Sequence, residues 1–568
     1  MLRLSIILYS CIIISFLAFA DASIASQKSV SATKYMVAAA NPYASKAGLD
    51  VMAAGGTAID AAVAVQIMLN LVEPESSGIG GGAFMLYWDA SSKQLITMDG
   101  REKAPISATP AYFLGTDGNP VKWWDAVIGG KSVGVPGTLK LLDEVHREFG
   151  NRPWASLITP TINLAEKGFP ISAKLANQIA KAQKRELDLF EPTRSYFFNQ
   201  DGSPKIEGQI LKNPAFAETL KMVSRNRSAP FYTGTIAEQI IKAIKTEINP
   251  GELTMKDLAD YVVIQRKPLC FDYRKYQVCG MGPPTSGGLT MGQILTMLSG
   301  FDLPNMGPGA ESWHLYAEAA KLAYADRGMY MADSDFVNMP QGLLNKNYLA
   351  NRAKLINPEQ AMEIALPGTP PWKKSSKFAP DTQLERPGTS HFVIVDQYRN
   401  MVSMTTTIET GFGSRVMTGG FLLNNELTDF SFAAEKDGKP IANRVESGKR
   451  PRSSMSPTIV MQNGKPVLLT GSPGGSRIIN YVTQSVIAIL DWGMDPQQAL
   501  NMGHVVNRNG TTELEDGTEA IEIAKLLEAK GHKVKITRLN SGLHAIQLKG
   551  DKLIGAADPR RDGLVLGN

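Results

Sequence analysis

Apolar positions along this chain change their period at two places. Ala58 to Leu71 is an alanine-rich, almost unbroken apolar run that predicts a buried helix, with Gly48 and Gly55-Gly56 expected to break the helical pattern before it. Glu75-Ser76-Ser77-Gly78-Ile79-Gly80-Gly81-Gly82 then reads as a turn allowing close backbone approach, and Ala83 to Trp88 as a strand. Helical spacing dominates from Gly137 to about Ile248 and returns over Gly287 to Leu298 and Glu311 to Met331. Gly368 to Pro387, rich in Pro, Lys, Ser and Thr, predicts an exposed, flexible segment. Beyond it the pattern turns to strands: His391 to Asp396, Met401 to Ile408, Gly420 to Asn424, Thr458 to Met461, and Val467 to Thr470 about the Asn463-Gly464 turn. Helices over Arg477 to Trp492 and Thr518 to Lys530 follow, and short strands near Val534 and Ala545 close the chain. Strands first and helices after predict an α+β arrangement of sheets covered by helices.

The second change of period falls at Thr389, where Pro387-Gly388 turn chemistry meets the β-branched run Phe392-Val393-Ile394-Val395. A threonine hydroxyl is a poor nucleophile without a base beside it, and the one base a threonine can carry itself is a free α-amino group. Cutting the Gly388–Thr389 bond creates that arrangement, whereas an uncut bond leaves a loop-to-strand boundary. The rival nucleophile is Ser132, in Gly130-Lys131-Ser132-Val133-Gly134. A nucleophile elbow needs a helix directly after its serine, and here Pro136-Gly137 delays any helix to about Thr138. The Gly78 to Gly82 run fails as a dinucleotide site because its order is helix, glycines, strand.

With 43% hydrophobic and 20% charged residues, the chain is globular rather than disordered. A net charge of +5 without a dense basic block argues against nucleic acid as a partner. The six histidines show no ligand spacing, which disfavours a metal, and no cofactor is expected. Residues 1–22, with Arg3, an apolar run from about Ile6 to Ala20 and Ala20-Asp21-Ala22, have the layout of a secretory signal peptide cleaved after Ala22. The run is too short and too near the start for a membrane span, an uncleaved anchor being the alternative, so the mature protein is expected in the periplasm or outside the cell. Cys270 and Cys279 then remain, either as a disulfide across a hairpin or as two free thiols.

Three clusters follow Thr389: Thr405-Thr406-Thr407-Ile408-Glu409; Leu423-Asn424-Asn425-Glu426-Leu427-Thr428-Asp429; and Arg452-Ser453-Ser454 with Gly471-Ser472-Pro473-Gly474-Gly475-Ser476-Arg477. In this order and spacing, together with Gly78 to Gly82, Arg101-Glu102 and Pro283 to Gly288, the chain resembles the γ-glutamyltranspeptidase (glutathione hydrolase) family of N-terminal nucleophile hydrolases. The resemblance implies a four-layer αββα sandwich. It also implies a precursor that cuts itself into a large subunit (23–388) and a small subunit (389–568), which remain together as a heterodimer.

Carried over residue by residue, the resemblance makes Thr389 the nucleophile and Thr407 the threonine that orients it. Arg101, Ser453 and Ser454 become ligands of the substrate α-carboxylate, Glu426 and Asp429 ligands of its α-ammonium, and Gly474 and Gly475 the oxyanion donors. The implied substrates are glutathione and other γ-glutamyl compounds, with water, an amino acid or a peptide as acceptor. Two departures bear on substrate choice. Glu409 stands where better-known members carry Asn, adding a third carboxylate to the substrate pocket, and the stretch from Phe432 to Arg452 is shorter than their lid. The related cephalosporin acylases, which take glutaryl groups, are the alternative activity, and a non-catalytic binding protein on the same fold would leave these residues unused.

Overall fold

The computed structural model of the protein describes residues 28–373 and 377–568, so the signal-peptide reading of residues 1–22 lies outside it. Its central strand is Thr389–Val395. Phe392 and Ile394 enter one hydrophobic core while Val393 and Val395 enter another. Burial on both faces explains the continuous apolar sequence there, since neither face needs the polar residue that alternation would supply.

That strand pairs antiparallel with Met401–Thr407 and with Met36–Ala39, in a register that sets Thr389 directly opposite Thr407. The full sheet has seven strands in the order Leu564–Gly567, Met36–Ala39, Thr389–Val395, Met401–Thr407, Gly82–Asp89, Gln94–Gly100 and Ile264–Arg266. A second seven-stranded antiparallel sheet packs against it, in the order Val30–Ala32, Lys552–Ala557, His544–Lys549, Lys465–Gly471, Thr458–Gln462, Tyr276–Gly280 and Leu269–Tyr273. Helices Pro42–Ala53, Ala58–Val72, Thr138–Phe149 and Trp154–Lys167 share the first core and cover the first sheet. Gly287–Leu298, Ala310–Tyr330 and Ile478–Leu490 cover the second. This is the αββα order. Among the described residues, no helix is long and apolar enough to cross a membrane.

Several local expectations change. Gly48 does not interrupt a helix but lies inside Pro42–Ala53, where a Cβ would come within 2.7 Å of Val65 in the neighbouring helix. Its role is close helix packing rather than punctuation. The helix Ala58–Val72 starts at a capping box of Thr57 and Asp60, and Asp60 also accepts from the backbone of Asn151 and Arg152. Gly420 to Asn424 contributes only the two-residue strand Phe421–Leu422, and Thr518 to Lys530 divides into a 3-10 turn, Glu519–Ile523, and a short helix, Ala524–Ala529. The chain ends not near Ala545 but in two further strands: Lys552–Ala557 joins the second sheet between Val30–Ala32 and His544–Lys549, and Leu564–Gly567 forms an edge of the first. The segment before Thr389 is not simply exposed: Asp381, Glu385 and Gly388 are buried.

Cys270 and Cys279 face each other across the hairpin Leu269–Tyr273 and Tyr276–Gly280 and are joined as a disulfide. Denatured, unreduced mature protein should therefore show no thiol reactive toward a colorimetric disulfide reagent, and two after reduction. A reactive thiol before reduction would contradict the pairing.

Candidate active site

Thr389 begins its strand with the Gly388–Thr389 bond intact, and its side chain is almost fully buried. Thr407 Oγ1 donates to the Gly388 carbonyl at 2.7 Å and accepts from the Glu409 backbone N–H at 2.8 Å. A hydroxyl has one proton to give. The 3.4 Å contact between the two threonine hydroxyls therefore has Thr389 as donor, which turns its oxygen lone pairs away from Thr407. Thr389's own carbonyl accepts from Arg561 Nη1 at 2.9 Å. The Gly78 to Gly82 turn supports this arrangement from beneath, because a Cβ on Gly81 would fall 1.9 Å from the Thr407 carbonyl oxygen.

A buried charge cluster adjoins the threonines. Arg101, placed by the end of strand Gln94–Gly100, pairs with Glu426 Oε1 and, at 2.7 Å, with Asp429 Oδ2, and lies 3.8 Å from Glu102. Asn424 fixes Glu426 by accepting from its backbone N–H while donating to the carbonyls of Gly80 and Gly134. Glu409, held at φ 73°, accepts from Asn425 Nδ2 at 2.6 Å and faces Asp429. Three carboxyl groups thus surround one guanidinium, and a fourth, that of Glu409, adjoins them through Asp429. Burial pushes Glu409, Glu426 and Asp429 well above the usual carboxyl range, with Asp429 adding to the shift of Glu409, and raises Glu102 to about 7.

The third group of residues meets the segment preceding the bond. The Glu385 carboxylate is held by Arg327, by Ser454 Oγ at 3.2 Å and by Arg452 Nε at 3.4 Å, while Ser476 N–H takes its backbone carbonyl. Ser453 Oγ accepts from the Met455 N–H. Gly474 (φ 138°) and Gly475 (φ 59°) lead into helix Ile478–Leu490, and a Cβ on Gly475 would fall 2.5 Å from the Arg386 carbonyl oxygen.

Of the residues singled out in the sequence, Thr389, Thr407, Arg101, Glu409, Glu426, Asp429, Ser453, Ser454 and Gly475 line one cavity of about 20 Å³, with Gly474 adjacent in the chain. Glu385 and Arg386 line it too, which leaves little room. Sequence reasoning missed Glu385, Arg327 and Arg452 as a group. Their meeting is long-range, and the only local sign was a lone acidic residue four positions before Thr389.

Ser132 lies apart from this cavity, in a 3-10 turn where its hydroxyl donates to the Val127 carbonyl at 2.7 Å, with the Gly129 carbonyl 3.1 Å away. The fold also brings together His314, Glu318 and His532, which no spacing in the sequence suggested. Their lone pairs are already engaged. His314 Nε2 meets the Asn357 carbonyl, His314 Nδ1 meets His532 Nε2 at 2.8 Å, His532 Nδ1 meets Thr512, and Glu318 pairs with Lys321 at 2.8 Å.

Comparison with known proteins bears on both the fold and this constellation. Residues 44–567 match the family model described as gamma-glutamyltranspeptidase. The glutathione hydrolase proenzyme of Bacillus subtilis is 39% identical over 94% of this chain and 91% of its own length. Acylase ACY 1 proenzyme of a Pseudomonas species is 32% identical over 94% of each. The crystal structure of a cephalosporin acylase from Bacillus halodurans superposes with a TM-score of 0.84 at 28% identity, over 95% of this chain and 97% of that one. The chain belongs to the γ-glutamyltranspeptidase family.

Proposed function

We propose that the protein cleaves γ-glutamyl amides such as glutathione through a γ-glutamyl ester on Thr389, passing the acyl group to water or to an amino acid or peptide. The observation that carries this reading is the buried pairing of Arg101 with Glu426 and Asp429 beside two facing threonine hydroxyls. An α-amino acid head group is a zwitterion, so it can insert into that pair without changing the net charge. Its carboxylate takes the guanidinium fork with the Ser453 and Ser454 hydroxyls, and its ammonium takes the acids that Arg101 releases.

The reaction needs the chain cut first. Thr389 Oγ attacks the Gly388 carbonyl carbon, which the Thr407 hydroxyl polarises; the Thr389 nitrogen leaves with the proton, and water opens the resulting ester. The products are a carboxylate at Gly388 and a free α-amine at Thr389, which ordinarily titrates at about 7.7 to 8.0. That amine serves as the base when Thr389 Oγ attacks the γ-carbonyl, the backbone N–H groups of Gly474 and Gly475 receive the oxyanion, and the departing amine takes the proton. Glu385 and Arg386 must withdraw for substrate to enter, because they fill the cavity in the uncut chain. The large and small subunits then form a heterodimer with one shared core. Export guided by residues 1–22 to the periplasm or beyond is consistent with the cross-strand disulfide.

A glutaryl group offers the carboxylate without the ammonium and so fits the acylase alternative. It would add one negative charge to a pocket where Glu409, Glu426 and Asp429 already stand against Arg101. Leaving such charges unpaired after desolvation costs on the order of 2–5 kcal/mol.

Thr389→Ala should remain a single chain and be inactive. Thr407→Ala should slow self-cleavage by at least about a hundredfold, the scale of losing one donor to a developing oxyanion. Electrophoresis of purified protein over time reads both, and normal processing of Thr389→Ala would contradict autocatalysis.

On paired γ-glutamyl and glutaryl p-nitroanilides, kcat/KM should favour γ-glutamyl by at least about thirtyfold near pH 8. Carboxyl groups with raised pKa values become neutral as pH falls, so the preference should shrink toward pH 5. Comparable rates on both substrates would overturn the γ-glutamyl reading. A strong preference left unchanged in Glu409→Asn would remove only the part assigned to Glu409.

A further inference from the structure

The chain leading to the Gly388–Thr389 bond is held more firmly than its polar composition suggests. Asp381 accepts from Arg452 Nη2 at 2.9 Å, and Gln383 donates to the Thr428 carbonyl at 2.6 Å. Glu385 is the last acidic residue before the bond. Its carboxylate meets Arg327, Ser454 Oγ at 3.2 Å and Arg452 Nε at 3.4 Å. Its own carbonyl accepts from both the N–H and the hydroxyl of Ser476, each at 3.2 Å.

The seat of this carboxylate is itself braced. Arg327 and Arg452 are each 1% exposed, and Arg327 donates through Nη2 to Ser454 Oγ and through Nε to Ser286 Oγ, both at 2.9 Å. Among the described residues, the ion pair of Arg327 is with Glu385. Burial pushes the Glu385 carboxyl up, and the Arg327 and Arg452 guanidinium groups overcome it and hold the group down at about 2.

From that anchor to the reacting carbonyl the chain runs three residues and has few free torsions. Arg386 N–H donates to Glu409 Oε1 at 3.3 Å, and the Arg386 carbonyl lies where a Cβ on Gly475 would come within 2.5 Å of it. Pro387 has a fixed φ. Gly388 packs so closely that a Cβ on it would fall 2.3 Å from the Glu409 carbonyl oxygen, and its own carbonyl accepts from Thr407 Oγ1 at 2.7 Å. The Glu385 seat and Thr407 therefore hold the two ends of one short, stiff span.

We propose that Glu385 is a positioning residue for self-cleavage: by seating its carboxylate among Arg327, Arg452 and Ser454, it sets the Gly388 carbonyl within reach of Thr389 Oγ and Thr407. The assignment rests on the reading of Thr389 as the autocatalytic nucleophile. Glu385 touches none of the reacting atoms and acts only through the span to Gly388.

The rate of cutting is read by pulse-labelling the full chain, chasing under oxidising conditions and resolving the products by electrophoresis. Glu385→Ala should cut about a hundredfold more slowly than the wild type, the scale of a reacting group displaced by about 1 Å. Glu385→Asp returns the carboxylate on a shorter stem and should recover at least about tenfold of that loss. Acetate added to Glu385→Ala returns negative charge to the arginines without a link to the chain, so cutting should stay slow. A wild-type rate in Glu385→Ala, or full recovery with acetate, overturns the positioning role. Should Glu385→Ala fail to fold, the nearly isosteric Glu385→Gln decides: slow cutting supports the role, and a wild-type rate overturns it. Thr389→Ala, run alongside, separates the two readings. If it is cut like the wild type, autocatalysis fails and the proposal with it; if it stays whole while the Glu385 variants cut normally, only the role of Glu385 fails.

Discussion

The structure depends on one cross-strand pair, Thr389 facing Thr407 in the middle of a seven-stranded sheet. The register is over-determined. Residues 389 to 395 are buried on both faces, so a one-residue slip would exchange Phe392 and Ile394 with Val393 and Val395 between two differently shaped cores. That rigidity holds the Thr407 hydroxyl on the Gly388 carbonyl and, in the proposed chemistry, leaves the Thr389 oxygen free to attack. Everything mobile in the proposed chemistry lies on the other side of the bond, in the chain from Glu385 to Gly388.

The charges around this pair follow a similar division. Beside the threonines, carboxyl groups share Arg101, whereas beyond the bond Arg415 and Arg561 have no carboxylate within ion-pair distance among the described residues. Arg415 and Arg561 are buried, and a buried charge without a partner is unfavourable. With the Gly388–Thr389 bond intact, Glu385 lines the cavity beside the threonines, its carboxylate held by Arg327, Ser454 and Arg452.

Much of this was legible in the residues themselves. The turn at Pro387-Gly388 followed by a β-branched run gave the position of Thr389, and the apolar periods located the helices Gly287–Leu298 and Ile478–Leu490 closely. The clusters after Thr389 pointed to one constellation through the family resemblance, and in the structure most of their members line one cavity. Polar segments misled where pairing overrides composition. Residues 377–388 look like a solvated linker, yet Asp381 and Glu385 are buried because Arg452 and Arg327 neutralise them. The grouping of Arg415, Arg561 and Trp124, like that of His314 with His532, joins residues far apart in the chain, and no local period encodes such a meeting.

The most direct measurement is to identify the residue that carries the acyl group. Mature protein is mixed with a γ-glutamyl anilide, quenched in acid within the first turnover, digested, and read by tandem mass spectrometry. The account predicts one γ-glutamyl adduct, on the peptide whose first residue is Thr389 with a free amine. An adduct on the peptide containing Ser132, or turnover by a chain still joined at Gly388–Thr389, would contradict it.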